Sequence, residues 1–230
     1  MSDLIIPNHI GFIIDGNRRW ARQHGLPTYE GHLAGYEKLK EVLTAALKAG
    51  VKYASVYAFS TENWNRSEDE VTKLWSLTQK LLTTDLPIFT KNNIKLVILG
   101  SYDRLSDKII KAMKDAEAKT AKNTGGVLAL CLNYGGQLEI ADAVKKIIKS
   151  GVKAEDVTPE LIGQNIYSPE IPPVDIVVRT SGEQRLSNYM MWRTAYSELL
   201  FLDKMWPDIT KADLTKIFRE YSKRNRRHGA

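Results

Sequence analysis

His9-Ile-Gly-Phe-Ile-Ile14 is an apolar run that gives way at once to Asp15-Gly-Asn-Arg-Arg-Trp20. The run reads as a buried strand, and Leu33, Tyr36, Leu39, Leu43 and Leu47 then recur at helical spacing until Gly50 ends the helix. The alternation repeats outward from there. Residues 53–58, 94–99, 127–132 and 174–178 read as further strands, with 199–202 as a sixth. Ser67-Glu-Asp-Glu70 has the form of a capping box, opening a helix with Val71, Leu74, Trp75, Leu81 and Leu82 on one face. Helices are also expected over 105–122, after Gly135-Gly136 to about 150, and over 211–222. Strands alternating with helices of this length imply βαβ units. The expected fold is therefore a single α/β domain over 1–230, with a central, mostly parallel sheet flanked by helices. Such sheets bind ligands outside the carboxyl ends of their strands.

The 230 residues correspond to roughly one and a half average domains. With 43% apolar and 26% charged residues the composition is that of an ordinary globular protein, excluding disordered, collagen-like and disulfide-framework classes. Cys131 is the single cysteine and lies in an apolar run, which points to a buried thiol in a reducing compartment. No stretch has the length of a spanning helix, and the opening residues carry no basic region of a signal peptide; a cytoplasmic protein is expected. The net charge of +6 is concentrated at the end, where Lys216, Arg219, Lys223, Arg224, Arg226 and Arg227 face one acid, Glu220. An anionic membrane face, a phosphorylated small molecule and nucleic acid are all compatible with that tail, as is a plain solvated helix end.

Three strand ends carry anion-binding chemistry. After the first, Asp15 can hold Mg²⁺ or take a proton, Gly16 lets backbone approach a ligand, and Arg18 and Arg19 supply charge for a phosphate; an ordinary turn with a capping Asp is the plainer reading. After the second, Phe59-Ser-Thr-Glu-Asn-Trp-Asn-Arg66 is dense in polar groups around Trp64 and reads as a mobile loop closing over an anionic substrate. After the fifth, Arg179-Thr-Ser-Gly-Glu-Gln-Arg-Leu-Ser-Asn188 resembles a diphosphate cradle, or a polar loop with ion pairs to Glu183. His9 is expected to be structural, and His32, read as starting a helix, to reach phosphate. Tyr36, Leu39, Trp75, Leu82 and Phe89 read as core before they read as a lipid pocket. Walker and dinucleotide fingerprints are absent.

These segments together resemble the cis-prenyltransferases, the undecaprenyl diphosphate synthase family. The matching stretches run in order: 9–21, Gly31-His32 with Gly35, 57–66, Asn133-Tyr-Gly-Gly136, 178–188 including Leu186, Trp192 with Ala195-Tyr-Ser-Glu198, Trp206-Pro-Asp208, and the terminal Arg-Arg-His-Gly229. The resemblance implies a homodimer with a hydrophobic tunnel at the strand ends. It implies Mg²⁺-dependent condensation of isopentenyl diphosphate onto an allylic diphosphate, farnesyl diphosphate being the expected primer, with each new double bond cis. By resemblance, Asp15 would hold Mg²⁺, and Gly16, Asn17, Arg18, Arg19 and His32 would bind the allylic diphosphate. Trp20 and Trp64 would line the site near the reacting chains. Ser60, Thr61, Glu62 and Arg66 would belong to the flexible loop, with Asn63 assigned to proton removal. Arg179, Arg185 and Ser187 would bind isopentenyl diphosphate, Glu198 would complete the metal site from the other subunit, and Arg227 and Gly229 would reach across the dimer.

Arg18 stands where the family most often has glycine, Thr28 where many members have arginine, Met190-Met191 in place of leucines, and His228 in place of phenylalanine. The expected product is undecaprenyl or a similar polyprenyl diphosphate for a glycan carrier lipid, with peripheral contact at the inner membrane face through that product. A short or irregular prenyl diphosphate synthase, and a non-catalytic partner subunit, are the alternatives. The tail lacks interleaved aromatics for base stacking, so no nucleic acid is expected.

Overall fold

A computed structural model describes residues 4–224. Six strands form one sheet: β1 (His9–Ile13), β2 (Tyr53–Ser60), β3 (Lys95–Leu99), β4 (Val127–Tyr134), β5 (Ile176–Arg179) and β6 (Glu198–Phe201). Their order is β3-β4-β2-β1-β5-β6, and every pairing is parallel. The four central strands are buried almost without break because helices cover both faces, as parallel sheets require. The helices are α1 (Asn17–Gln23), α2 (Thr28–Lys48), α3 (Glu68–Leu82), α4 (Leu86–Lys91), α5 (Asp107–Thr120), α6 (Gly136–Lys149), α7 (Pro159–Asn165) and α8 (Lys211–Lys223).

One face packs Leu39, Leu43, Leu77, Leu81, Phe89 and Trp206 against Ile10, Phe12, Val56 and Leu130. The other holds a smaller cluster around Tyr57, Cys131, Tyr134 and Tyr189. Tyr36, Leu39, Leu82 and Phe89 are therefore packed core, as read from their spacing, and Cys131 is buried.

Some boundaries differ from expectation for definable reasons. The expected fifth strand from residue 174 begins at Ile176, because Val174 N donates to Arg193 O and Asp175 N to His9 O, outside the β5 ladder. β4 runs two residues further than expected, to Tyr134. α2 opens at Thr28, so His32 sits in its second turn and not at its start. The Ser67–Glu70 box is only half formed: Ser67 Oγ accepts from Glu70 N, while the Glu70 carboxylate is drawn to other partners. Reciprocal boxes form at Ser60/Asn63 and Thr210/Asp213, where Asn and Asp stand in the return position. Arg227, His228 and Gly229 lie outside the described residues.

Candidate active site

The ends of β1, β2 and β5 converge on a cleft of two joined lobes, of about 890 Å³ and about 520 Å³. Ile14, Asp15, Tyr57, Asn63 and Arg66 line both lobes and so mark their junction. The larger lobe is walled by α1 and the start of α2: Gly16, Asn17, Arg18, Arg19, Arg22, Thr28 and His32, with Glu183 and Arg185 opposite. The smaller is walled by Ser60, Glu62, Arg179, Ser187 and Asn188.

α1, like the short helices α4 and α7, is not expected from the sequence, where residues 15–20 read as a turn or an anion-binding segment. Asn17-Arg-Arg-Trp-Ala-Arg-Gln23 buries only Ala21, so no apolar periodicity announces a helix. It is held by contact with α2. Asn17 packs its amide against Gly35, where a Cβ would lie 2.4 Å from Oδ1. Gly16 precedes the helix at φ 108°, with Met205 and Ser181 each 3.0 Å from the place a Cβ would take, so both conformation and space demand glycine. Once α1 is a helix, Arg18 and Arg22 share a face four residues apart. Arg22 was therefore missed with the helix itself, yet it lines the larger lobe together with Arg18, Arg19 and Thr28.

Arg18, Arg19, Arg66, Arg179 and Arg185 of the cleft each lie within 4 Å of a carboxylate. Arg179 is buried; its Nη2 donates to Asp15 Oδ2 at 2.9 Å and its Nη1 to Ser187 Oγ at 2.7 Å and Arg185 O at 2.6 Å. Its Nε is a buried donor with no partner among the described residues. Arg19 lies 3.4 Å from Asp15 and 3.1 Å from Glu183, and it also donates to Ser181. Arg185 donates to Glu183. Glu70 receives His32 Nε2 at 3.0 Å and Arg66 Nη1 at 2.9 Å, with Arg18 Nε 3.9 Å away. A carboxylate only accepts, so His32 carries its proton on Nε2. Burial raises the Asp15 carboxyl, but the Arg179 hydrogen bond and charge, Arg19 and the Gly16 amide outweigh it and hold it below the usual carboxylate range. Burial pulls His32 below the ordinary imidazole value despite Glu70, so it is neutral near pH 7.

The 61–65 segment is one 3₁₀ turn, closed by Ser60 N donating to Asn63 Oδ1 at 3.1 Å. Two expected site residues turn elsewhere. Trp20 donates from Nε1 to Asp208 and stacks on His24. Trp64 donates to Asn133 Oδ1 at 2.7 Å and packs with Phe59 and Trp75 under Arg104. Neither indole is part of the walls described above. Leu186 packs against the smaller apolar cluster. Thr61 stands at the start of the turn, against Gly135. Glu198 begins β6 beside Ile176, at the opposite sheet edge from Asp15 in the same chain, and accepts from Arg224 at 3.3 Å.

Among the described residues no three His, Cys, Asp or Glu side chains form a metal cluster, and no helix is long and apolar enough to cross a membrane. Asp15 nevertheless suits a hard divalent cation. It is an ionised oxygen donor at the lobe junction, and Mg²⁺ commonly takes one or two carboxylates and completes its shell with substrate phosphates and water.

Comparison with known proteins gives the same assignment. The family model for undecaprenyl diphosphate synthase matches residues 13–229. An isoprenyl transferase of Thermotoga maritima is 41% identical over 226 residues, covering 97% of each chain. The crystal structure of lavandulyl diphosphate synthase from Lavandula x intermedia, in complex with dimethylallyl diphosphate, superposes with a TM-score of 0.93 at 31% identity, covering 98% of this chain and 99% of that one. That of a probable undecaprenyl diphosphate synthase from Campylobacter jejuni gives 0.82 at 29% identity over the full length of both. With its parallel six-stranded sheet and arginine-lined double cleft, the chain belongs to the undecaprenyl diphosphate synthase family of isoprenyl transferases and is a prenyltransferase.

Proposed function

We propose that this enzyme condenses isopentenyl diphosphate onto an allylic diphosphate, with farnesyl diphosphate as primer, forming cis double bonds and a polyprenyl diphosphate of undecaprenyl type for a glycan carrier lipid. The observation that carries this reading is the pair of lobes meeting at Asp15 and Arg66, with Arg18, Arg19 and Arg22 in the larger and Arg179 in the smaller. A condensation needs two diphosphates side by side and one leaving-group end. The neighbour that holds dimethylallyl diphosphate supports an allylic diphosphate as one of the two ligands, and the concentration of arginines in the larger lobe makes that lobe the allylic subsite in this reading.

In this reading Arg18, Arg19, Arg22 and His32 bind the allylic diphosphate, and Arg179 and Ser187 bind that of isopentenyl, with Arg185, which lines the larger lobe on Glu183, turning to it on binding. Arginines already fixed in place stabilise the charge that builds on the departing diphosphate without reorganising as it forms. Thr28 contributes no charge, and Arg18 and Arg22 supply it from the neighbouring helix. Members of this family use a divalent metal; Asp15 would hold it, with Glu198 of a second copy, and Mg²⁺ there would supply Lewis-acid stabilisation of the leaving diphosphate. Ile14, Ala58 and Leu74 form an apolar wall for the prenyl chain beside these polar groups. Asn63 lies at the lobe junction, where a proton must leave C2 of the isopentenyl unit once its C4 has bonded to the allylic C1 and left positive charge at C3. The protein would act as a homodimer in the cytoplasm and meet the inner membrane face through its product.

The test is incubation with farnesyl and isopentenyl diphosphates plus Mg²⁺, followed by mass analysis and double-bond assignment. A ladder of linear, cis-extended products is expected, and its end point gives the chain length. Only short or branched products would move the assignment to an irregular synthase, and no condensation at all would overturn it.

A further inference from the structure

Asn188 joins segments that follow three different strands. Its Nδ2 donates to Glu62 Oε1 at 2.9 Å, its Oδ1 accepts from Gln137 N at 2.8 Å, and its backbone carbonyl accepts from Gly136 N at 2.8 Å. The amide orientation is dictated by these partners: the carboxylate only accepts and the backbone N–H only donates, so a flipped amide would lose both bonds. Asn188 has φ 66° and Ser187 before it φ 49°, two consecutive left-handed residues of which neither is glycine. That backbone turns Ser187 Oγ to Arg179 and, one residue later, the Asn188 amide to Glu62. Strain of this kind persists where surrounding contacts over-determine it, and here it lies in the wall of the smaller lobe.

We propose that Asn188 is a positioning residue: through Glu62 it latches the 61–65 turn onto the Arg179–Ser187 wall and so holds Asn63 over the subsite on that wall. Glu62 is the residue before Asn63; the reciprocal Ser60/Asn63 bonds are internal to the turn, Trp64 and Arg66 tie it to Asn133 and Glu70, and the Glu62–Asn188 bond ties it to the wall after β5. The Glu62 carboxyl agrees with this: burial raises it, and the Asn188 hydrogen bond, with local hydroxyl and backbone donors, brings it below the usual range. The role assigned to the subsite rests on the function proposed above.

Asn188 also caps α6 by accepting from Gly136 and Gln137, so the experiment must separate latch from cap. Asn188→Asp does so. It keeps an acceptor for the first turn of α6 while setting a carboxylate against Glu62. Glu62→Gln combined with Asn188→Asp rebuilds the bond with donor and acceptor exchanged. For Asn188→Asp we expect an undiminished thermal midpoint, faster amide hydrogen exchange over 61–65 in the ligand-free protein, and kcat lowered by about tenfold or more with KM for the allylic diphosphate within about twofold. The double variant should regain exchange protection and most of the kcat lost by Asn188→Asp. Unchanged exchange in Asn188→Asp, a faster exchange that the double variant leaves uncorrected, or faster exchange with wild-type kcat would each overturn the latch. The exchange measurement needs no turnover. A wild-type protein that condenses no prenyl diphosphates would sink the proposed function, and exchange alone would then decide the latch.

Discussion

His9 shows how a single side chain can tie stability to pH without taking part in chemistry. Its Nδ1 donates to Pro172 O at 2.8 Å, which leaves Nε2 to accept from Ser55 Oγ at 2.8 Å; Ser55 Oγ in turn lies 2.6 Å from the Tyr189 hydroxyl. The chain of protons runs one way, from Tyr189 through Ser55 and His9 to a carbonyl, and it requires a neutral imidazole. Burial, against the pull of the Pro172 carbonyl, lowers the His9 pKa to about 4. An unfolded chain binds the proton below about 6.5 while the folded one refuses it until about 4, so stability is full above that window and falls as pH drops through it. The loss from this group is about 2 kcal/mol by pH 5. Urea unfolding of wild type and His9→Gln at pH 7 and pH 5 checks this. The advantage of wild type should shrink by about that amount at pH 5, and an advantage independent of pH would refute the neutral His9. The same residue was readable as structural from the sequence because it opens an apolar run. Its partners were not, since Ser55, Pro172 and Tyr189 meet only through the fold.

At the level of elements, the connection after β2 carries the sharpest functional demand. It must admit diphosphates and then exclude water, and it is a 3₁₀ turn tethered by Asn188 at one side and by Arg66 on Glu70 at the other. Both diphosphates would compete for arginines that now sit on carboxylates, so binding should exchange Arg66–Glu70 and Arg179–Asp15 contacts for ligand contacts and tighten the turn. Amide exchange over residues 60–67 should slow at least severalfold when both substrates or stable analogues are bound. Equal exchange with and without ligands would rule out a closing role. The parallel sheet and the five long helices α2, α3, α5, α6 and α8 were legible because apolar periodicity marks them, the six- and seven-residue α4 and α7 were too short to show it, and the polar segments after three strands marked the cleft. Asp15, Asn17, Arg18, Arg19, His32, Asn63, Arg66, Arg179, Arg185 and Ser187 do come together there. Features held by tertiary contact were not legible. α1 buries one residue and depends on Gly35 for its seat, Glu70 turned from helix cap to ion-pair partner, and Asn188 became a bridge through a left-handed backbone that no residue type announces.

At the scale of the whole molecule, the sheet itself separates two carboxylates that the proposed metal site needs together. Asp15 follows the end of β1, whereas Glu198 opens β6, level with Ile176 and Ile10 at the starts of their strands. Parallel strands cannot bring those edges to one point within a chain, so a shared site requires a second copy that presents its Glu198 to the first copy's Asp15. This geometry makes a complementation test decisive. Asp15→Ala and Glu198→Ala should each fold and associate normally, because Asp15 is half-buried at a cleft and Glu198 meets only the exposed Arg224 among the contacts described. Each should lose turnover by about a hundredfold or more, as expected for a group acting on transition-state charge. When the two variants are unfolded together in equal amounts and refolded, half the dimers are mixed. In a mixed dimer one site has Asp15 from the Glu198→Ala chain and Glu198 from the Asp15→Ala chain, and that site is whole. Its partner site lacks both carboxylates. Activity should therefore return to about a quarter of wild type. If both residues served the site of their own chain, every site in every dimer would lack one of them and the mixture would stay as inactive as its parents, which would end the shared-site reading while leaving the Asp15 role intact.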